Sequence, residues 1–244
     1  MPRKELLSAV QRFELLSFPP LSERELEQHY LLTKADLERI SLKKGPQGQL
    51  GFALQLSALR HLGRALEREL RVPGEVLALL ASQLRLDPAC FSDYAKRDAT
   101  RRERFQEACA LEGFRRCTPE DEVALEDWLV SEAQALTQAV PLVRVLQGEL
   151  LRRKVAQPAL SHLERWVGRV FERVSLQTYE ALLSGVDQVA RARLDALLIP
   201  EPGMRVSRLS WLRQPSGKPS TGAMLALLER IDFLRDLRID FGGP

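Results

Sequence analysis

Apolar residues recur at steps of three and four positions along most of this chain, which is the spacing that places side chains on one face of an α-helix. The stretch from Gln49 to Leu62 shows this most clearly, with apolar or small residues at positions 50, 53, 54, 57, 58 and 62. No segment alternates apolar and polar residues with the two-residue period of a strand. The pattern therefore predicts an all-α protein.

Short cap motifs mark where several of these helices begin. Ser8 with Gln11, and Ser22 with Glu25, have the spacing of a capping box, which predicts helices over about residues 9–17 and 23–30. Thr118, followed by a proline and two acids, predicts the start of a helix that reaches about residue 139. Apolar spacing predicts further helices over about residues 75–86, 98–113, 141–154, 158–183 and 220–237.

Residues 33–63 predict two short helices joined by a tight basic turn, the shape of a helix-turn-helix. Thr33 has a capping-box partner in Asp36, so a first helix is expected to begin there. Its buried side is expected to comprise Leu37, Ile40 and Leu42. Positions 45–48, Gly-Pro-Gln-Gly, cannot continue that helix, because the proline lacks a donor and the glycines permit positive φ. A second helix is expected to start near Gln49.

Charge is segregated along the chain, although the net charge is only +3. Residues 94–104 contain five basic and two acidic side chains, whereas residues 118–140 contain six acids and no Lys or Arg. The sign changes near residues 113–120, where turn residues also cluster, so we expect a domain boundary there. Two helical bundles are predicted, with the helix-turn-helix-like element in residues 1–117 and a second helical domain in residues 118–244.

The sequence gives little support for catalysis or for a bound metal. Its three histidines, His29, His61 and His162, lie far apart, and the three cysteines have no short metal-ligand spacing. No glycine-rich phosphate loop, zinc-protease motif or nucleophile elbow is present. We therefore predict no catalytic residues, no metal site and no cofactor, and a protein that is not an enzyme.

Three features bear on where the protein resides. The N-terminal residues lack the unbroken apolar run of a secretory signal, and no stretch approaches the ~18 apolar residues that cross a bilayer. The odd number of cysteines favours a reducing compartment. We expect a soluble, cytoplasmic protein with no membrane contact.

Basic and amide side chains cluster at the predicted turn and in residues 94–104. Lysine and arginine neutralise phosphates, and glutamine at the start of a helix can reach base edges in a DNA groove. Two alternatives stay open, because helix-turn-helix shapes also form plain corners of bundles and basic helix faces are often only solvated. The predicted DNA-contacting residues are Lys43, Lys44, Gln47, Gln49, Arg60, Arg64, Lys96, Arg97, Arg101, Arg102 and Arg104.

Two ordered motifs resemble the N-terminal region of Tn-three family replicative transposases. The first motif consists of Lys43-Lys44, Leu50-Gly51-Phe52-Ala53, Gln55-Leu56, Leu59-Arg60 and Gly63. The second is the run from Tyr94 to Glu103, with Gly113-Phe114-Arg115 downstream. Weaker similarity extends over nearly the whole chain.

The resemblance implies binding of double-stranded DNA at the terminal inverted repeats of a transposon. Members of the family cut DNA with an Asp-Asp-Glu magnesium site in their C-terminal part, and nothing in this sequence matches that part. The second helical domain would then supply additional DNA contacts or act as a linking bundle. The alternative is a helical interaction or regulatory module that associates with full-length transposase, for instance through the acidic helix over residues 119–139.

Overall fold

The computed structural model describes residues 6–66, 72–94, 98–203, 205–215 and 217–238. Over these residues the chain forms twelve α-helices and one 3-10 helix, and its only β-type pairing is an isolated bridge between Arg115 and Val155. The all-α prediction is confirmed. The α-helices are α1 (Ala9–Leu16), α2 (Glu23–Tyr30), α3 (Lys34–Ser41), α4 (Pro46–Leu62), α5 (Gly74–Leu84), α6 (Asp98–Glu112), α7 (Pro119–Ala135), α8 (Ala139–Arg152), α9 (Leu160–Ser184), α10 (Gln188–Ala196), α11 (Arg208–Leu212) and α12 (Thr221–Asp236), and the 3-10 helix spans Pro88–Asp93.

Capping boxes explain where four of these helices begin. At α1, α2, α3 and α7 the N-cap hydroxyl accepts the N–H of the third helical residue, whose own side chain accepts the N-cap N–H. Each box satisfies two backbone groups that a helix start would otherwise leave without an intrahelical partner. The N-cap residues are Ser8, Ser22, Thr33 and Thr118, as the sequence predicted.

The second helix of the helix-turn-helix-like element begins earlier than expected. It starts at Pro46 rather than near Gln49, because proline suits the first helical position, where no N–H donor is needed. Gly45 precedes it with a φ of 74°, in the left-handed region that favours glycine.

The expected buried side of α3 is wrong at two of its three positions. Ile40 is fully buried, but Leu37 is 36% exposed and Leu42 is 81% exposed. Leu42 is the C-cap residue, so it lies where the helix has already ended and its side chain extends into solvent.

The chain divides into two compact units, Met1–Arg173 and Val174–Pro244. The core of the first unit is centred on α4, and α2, α3, α5, α6 and the 3-10 helix all contact that helix. In the second unit, α11 and α12 meet through Trp211 and Phe233, whose ring centroids lie 5.6 Å apart in an edge-on arrangement. The backbone N–H of Leu209 donates to the carbonyl of Leu197 at 2.9 Å, which ties α11 to the end of α10.

The domain boundary predicted near residues 113–120 lies inside the first unit. The Arg115 N–H donates to the Lys154 carbonyl at 2.9 Å, and the Ala156 N–H donates to the Arg115 carbonyl at 2.8 Å. These bonds join the segment after α6 to the segment after α8. The predicted domains, 1–117 and 118–244, therefore do not coincide with the compact units, whose division falls within α9.

Candidate nucleic-acid interface

The turn between α3 and α4 presents only some of its predicted DNA-contacting side chains to solvent. Lys44 and Gln47 are exposed, whereas Gln49 is half-buried. The Gln49 side-chain amide lies 3.4 Å from the carbonyls of both Ser41 and Lys43, where it can donate to the C-terminal end of α3. Gln49 therefore helps to hold the turn, and Lys44 and Gln47 are its outward-facing polar groups.

Most of α4 is enclosed by the rest of the first unit. Every residue from Leu50 to Leu59 is buried, including Gln55 and Ser57. A recognition helix lies in the major groove along an open face, so the middle of α4 cannot read bases while the bundle is intact. The preceding turn and the first residues of the helix are accessible, and Arg60, His61 and Leu62 at its other end are half-buried, which favours a bundle corner over a helix that is exposed along its length.

The two motifs that carry the family resemblance meet in space. A Cβ atom placed on Gly51 would lie 1.9 Å from Cδ2 of Tyr94, so the tyrosine ring occupies the space that a side chain at Gly51 would need. Burial raises the pKa of Tyr94 to about 12. The glycine of the first motif is therefore the surface on which the tyrosine of the second motif packs.

A charged network links the turn to α6. Lys43 donates to Glu107, which also accepts from Arg104 at 3.0 Å, and the ammonium of Lys43 lies 4.3 Å from the centroid of the Phe52 ring. Burial would raise the pKa of Glu107, but the hydrogen bonds from Lys43 and Arg104 hold it below its ordinary value. Lys43 is only 8% exposed, so this predicted DNA contact instead holds the turn against α6.

Arg60 is committed to internal ion pairs. Its guanidinium donates to both carboxylate oxygens of Asp36, at 3.0 and 2.8 Å, and to Glu112 at 2.7 Å. Burial would raise the pKa of Asp36, but the hydrogen bonds from Arg60 and from Thr33 outweigh it and lower that pKa. Arg60 therefore joins α3, α4 and α6. This structural role explains its presence in the motif without a DNA contact.

Arg64 also lies inside the bundle. It is 8% exposed and donates to the backbone carbonyls of Leu16 and Ser17, the latter at 3.3 Å. These bonds anchor the end of α1 beside the end of α4. The structure therefore places Arg64, a predicted DNA contact, largely out of solvent, where two tertiary hydrogen bonds hold its guanidinium.

The predicted basic run of α6 divides between two flanks of the helix. Arg102 and Arg104 are two residues apart and therefore point about 200° apart around the axis. Arg104 faces the turn through Glu107, whereas Arg102 borders a cavity of about 450 Å³ with Phe105 and Arg116. The positive charges of Arg104 and Arg101 lower the pKa of Tyr94, against the larger effect of burial. Lys96 and Arg97 lie outside the described residues.

Arg116 is an exposed cation that sequence reasoning did not select. It follows Gly113-Phe114-Arg115 in the second motif, and that adjacency was the available signal. Its neighbour Arg115 is already paired with Asp121, at 2.7 Å between Nη2 and Oδ1.

The acidic helix α7 finds its partners within the first unit. Its acids Asp121, Glu122, Glu126 and Asp127 contact Arg115, His162, Arg169 and Arg173, respectively. The Arg173–Asp127 pair, for example, has an N···O distance of 2.6 Å. The acidic and basic segments that are separate in the sequence thus form ion pairs between α7 and the basic face of α9. These acids are engaged locally, which weakens the alternative in which this helix docks to another protein.

Two absences hold for the described part of the chain. No group of three or more His, Cys, Asp or Glu side chains there is arranged to hold a metal ion. Nor does any helix in those ranges combine the length and the apolar character needed to cross a bilayer.

Comparison with known families matches residues 6–170 to a domain of unknown function, DUF4158. This match covers more than half of the chain, and the protein belongs to that family.

The chain is similar to curated transposases of several transposons. It is 35% identical over 95% of its length to the transposase for transposon Tn501 of Pseudomonas aeruginosa. It is 34% identical to the transposase for transposon Tn21 and 32% identical to that for transposon Tn3926, both of Escherichia coli, over 99% of its length in each case. The resemblance to Tn-three family transposases is confirmed. The chain spans about a quarter of these relatives, 23% of the Tn501 protein and 24% of the other two.

Proposed function

We propose that this chain binds double-stranded DNA at transposon terminal inverted repeats, as the N-terminal module of a Tn-three family transposase. The contact surface comprises the turn after α3 and the adjoining side of α6. Its proposed members are Lys44, Gln47, Gln49, Arg101 and Arg104, together with Lys96 and Arg97 from the sequence.

One observation carries this proposal: two basic segments that are far apart in sequence lie side by side. Lys43 and Arg104 share Glu107, and Tyr94 packs on Gly51, so the turn and the start of α6 border the same end of α4. Neutralising several phosphates requires cations on one surface, and an accessible helix N-terminus adds backbone N–H groups and a favourable dipole. The curated relatives, which are transposases, support DNA as the ligand.

A gel-shift titration tests the proposal. The probes are a duplex carrying the terminal inverted repeat of Tn501 and a scrambled duplex of the same composition, each at two salt concentrations. We expect the repeat to bind more tightly, with an affinity that falls steeply as salt increases. Equal affinity for the two duplexes would overturn sequence-specific binding.

A matched pair of variants tests the surface. Lys44→Ala is expected to weaken binding and to reduce the slope of log affinity against log salt by about 1, because one phosphate contact is lost. Arg144→Ala is the control, since Arg144 is also exposed but lines a cavity with His61 and Leu62 at the opposite end of α4. The 17 residues of that helix separate the two ends by about 25 Å. An equal loss in both variants would count against the proposed surface.

We also propose that the chain does not cut DNA by itself. It matches only about a quarter of each transposase, and its sequence lacks a match to the part that carries the family's magnesium site. Incubation with the terminal-repeat duplex and Mg²⁺ is expected to leave both strands intact. A strand break that depends on the chain would refute this.

A further inference from the structure

The second unit leaves most of its large apolar side chains uncovered. Among the described residues, its buried hydrophobic side chains are only Val186, Ala190 and Leu197. Of the twenty exposed large hydrophobic side chains in the described part of the chain, it nevertheless holds fourteen. Scattered apolar residues are normal on a protein surface, but a dense set on one small unit marks an interaction surface.

Four of the six exposed large apolar residues of α12 form a continuous stripe. Met224, Leu227, Ile231 and Leu234 follow one another at steps of three, four and three residues, so they share one face of the helix. They are 62%, 37%, 49% and 52% exposed, respectively. The inner face of α12 is already used, because Phe233 packs on Trp211 and Arg230 donates to the Gln214 carbonyl at 2.5 Å.

We propose that this stripe, the α12 seam, docks against the portion of a Tn-three family transposase that this chain does not match. Three- and four-residue spacing is the pattern by which one helix packs along another or into an apolar groove. All four seam residues are apolar, so the seam suits an apolar partner better than a nucleic acid, which needs cations.

The length of the relatives supports this occupant. The Tn21 and Tn3926 transposases match 99% of this chain, so the matched region includes α12. In each relative that region is only 24% of the protein. A helix equivalent to α12 is therefore joined, in each relative, to a much larger polypeptide, and we propose that apolar surface on that polypeptide covers the seam. The inference rests on family membership and does not depend on DNA binding.

The test uses the full 244-residue chain and a Tn21 transposase that lacks its own matching quarter. We expect the two to co-purify, and Ile231→Lys to weaken their association at least about tenfold, since a lysine would be buried in an apolar seam. Leu225→Lys is the matched control. Leu225 is also on α12 and is 62% exposed, but it points about 140° away from the centre of the seam. Circular dichroism of both variants verifies that the helices remain folded.

A second measurement covers the case in which the shortened transposase does not fold. A chimeric Tn21 transposase carries this chain in place of its own matching quarter, and hydrogen exchange is followed in Thr221–Asp236. We expect exchange in that helix to slow in the chimera relative to the free chain, and Ile231→Lys but not Leu225→Lys to restore it. Unchanged exchange would overturn the proposal. The proposal would also fail if sedimentation showed that the free chain is a dimer and that Ile231→Lys makes it a monomer, because a second copy of the chain would then cover the seam.

Discussion

Replacing Gly51 by alanine tests whether the two sequence motifs pack as described. In an ordinary helix interior this change stabilises the protein, because alanine is favoured over glycine by up to ~1 kcal/mol. At Gly51 the new Cβ would lie 1.9 Å from the Tyr94 ring, far inside van der Waals contact. The ring or the helix must move, and overpacking of this kind costs about 1–3 kcal/mol. Complete displacement of a buried aromatic ring would cost about 3–5 kcal/mol.

We therefore expect Gly51→Ala to lower the free energy of unfolding by about 1–3 kcal/mol, measured by urea denaturation followed by circular dichroism. Gly168→Ala is the control, because Gly168 lies in the middle of α9 and a Cβ there would meet no atom within 4 Å. That variant should be slightly more stable than the wild type.

The Tyr94→Ala background gives the sharper measurement. Without the tyrosine ring the clash disappears, so Gly51→Ala should change sign and become neutral or stabilising. The reasoning is refuted if Gly51→Ala stabilises the wild-type chain as much as Gly168→Ala does, or if its cost is the same with and without the ring.

Two further predictions concern arginines that the sequence suggested as DNA contacts. Asp36→Asn should destabilise the chain by about 1–3 kcal/mol at neutral pH, because Arg60 loses a charged partner. Folding lowers the pKa of Asp36 below its ordinary value of 3.8. The ionised carboxylate therefore contributes to the free energy of unfolding above pH 3.8, and this contribution is lost as the pH falls from 3.8 towards the folded-state pKa. Urea titrations should accordingly show wild type and variant converging in acid, and a constant difference would contradict the ion pair. Arg64→Met should lower the free energy of unfolding by about 1–3 kcal/mol, because the donor to two backbone carbonyls is removed. Gel shifts of this variant should show unchanged DNA affinity and an unchanged salt slope. A reduced slope would mean that Arg64 does contact DNA.

The starts of the helices could be predicted from the sequence because capping is local. Ser8, Ser22, Thr33 and Thr118 each bond to a residue three positions along, so the partners are visible in the sequence itself. The turn before α4 could also be predicted from the sequence, since Gly45 and Pro46 have intrinsic backbone preferences. The two motifs could be identified as residue patterns in the sequence, and the relatives confirm their resemblance to Tn-three family transposases.

The function of individual cations depended on tertiary structure. Arg60 and Lys44 are both basic residues of the first motif and were both predicted to contact DNA. In the structure Arg60 is paired with Glu112, 52 residues away, whereas Lys44 is exposed. Likewise, the sequence left the acidic helix α7 as a possible docking surface, whereas the structure pairs its Glu126 with Arg169, 43 residues away. Local patterns determine where helices begin and end, because their energies act within one or two turns. Which face of a helix stays open, and which charges are neutralised, is decided only when distant segments pack together.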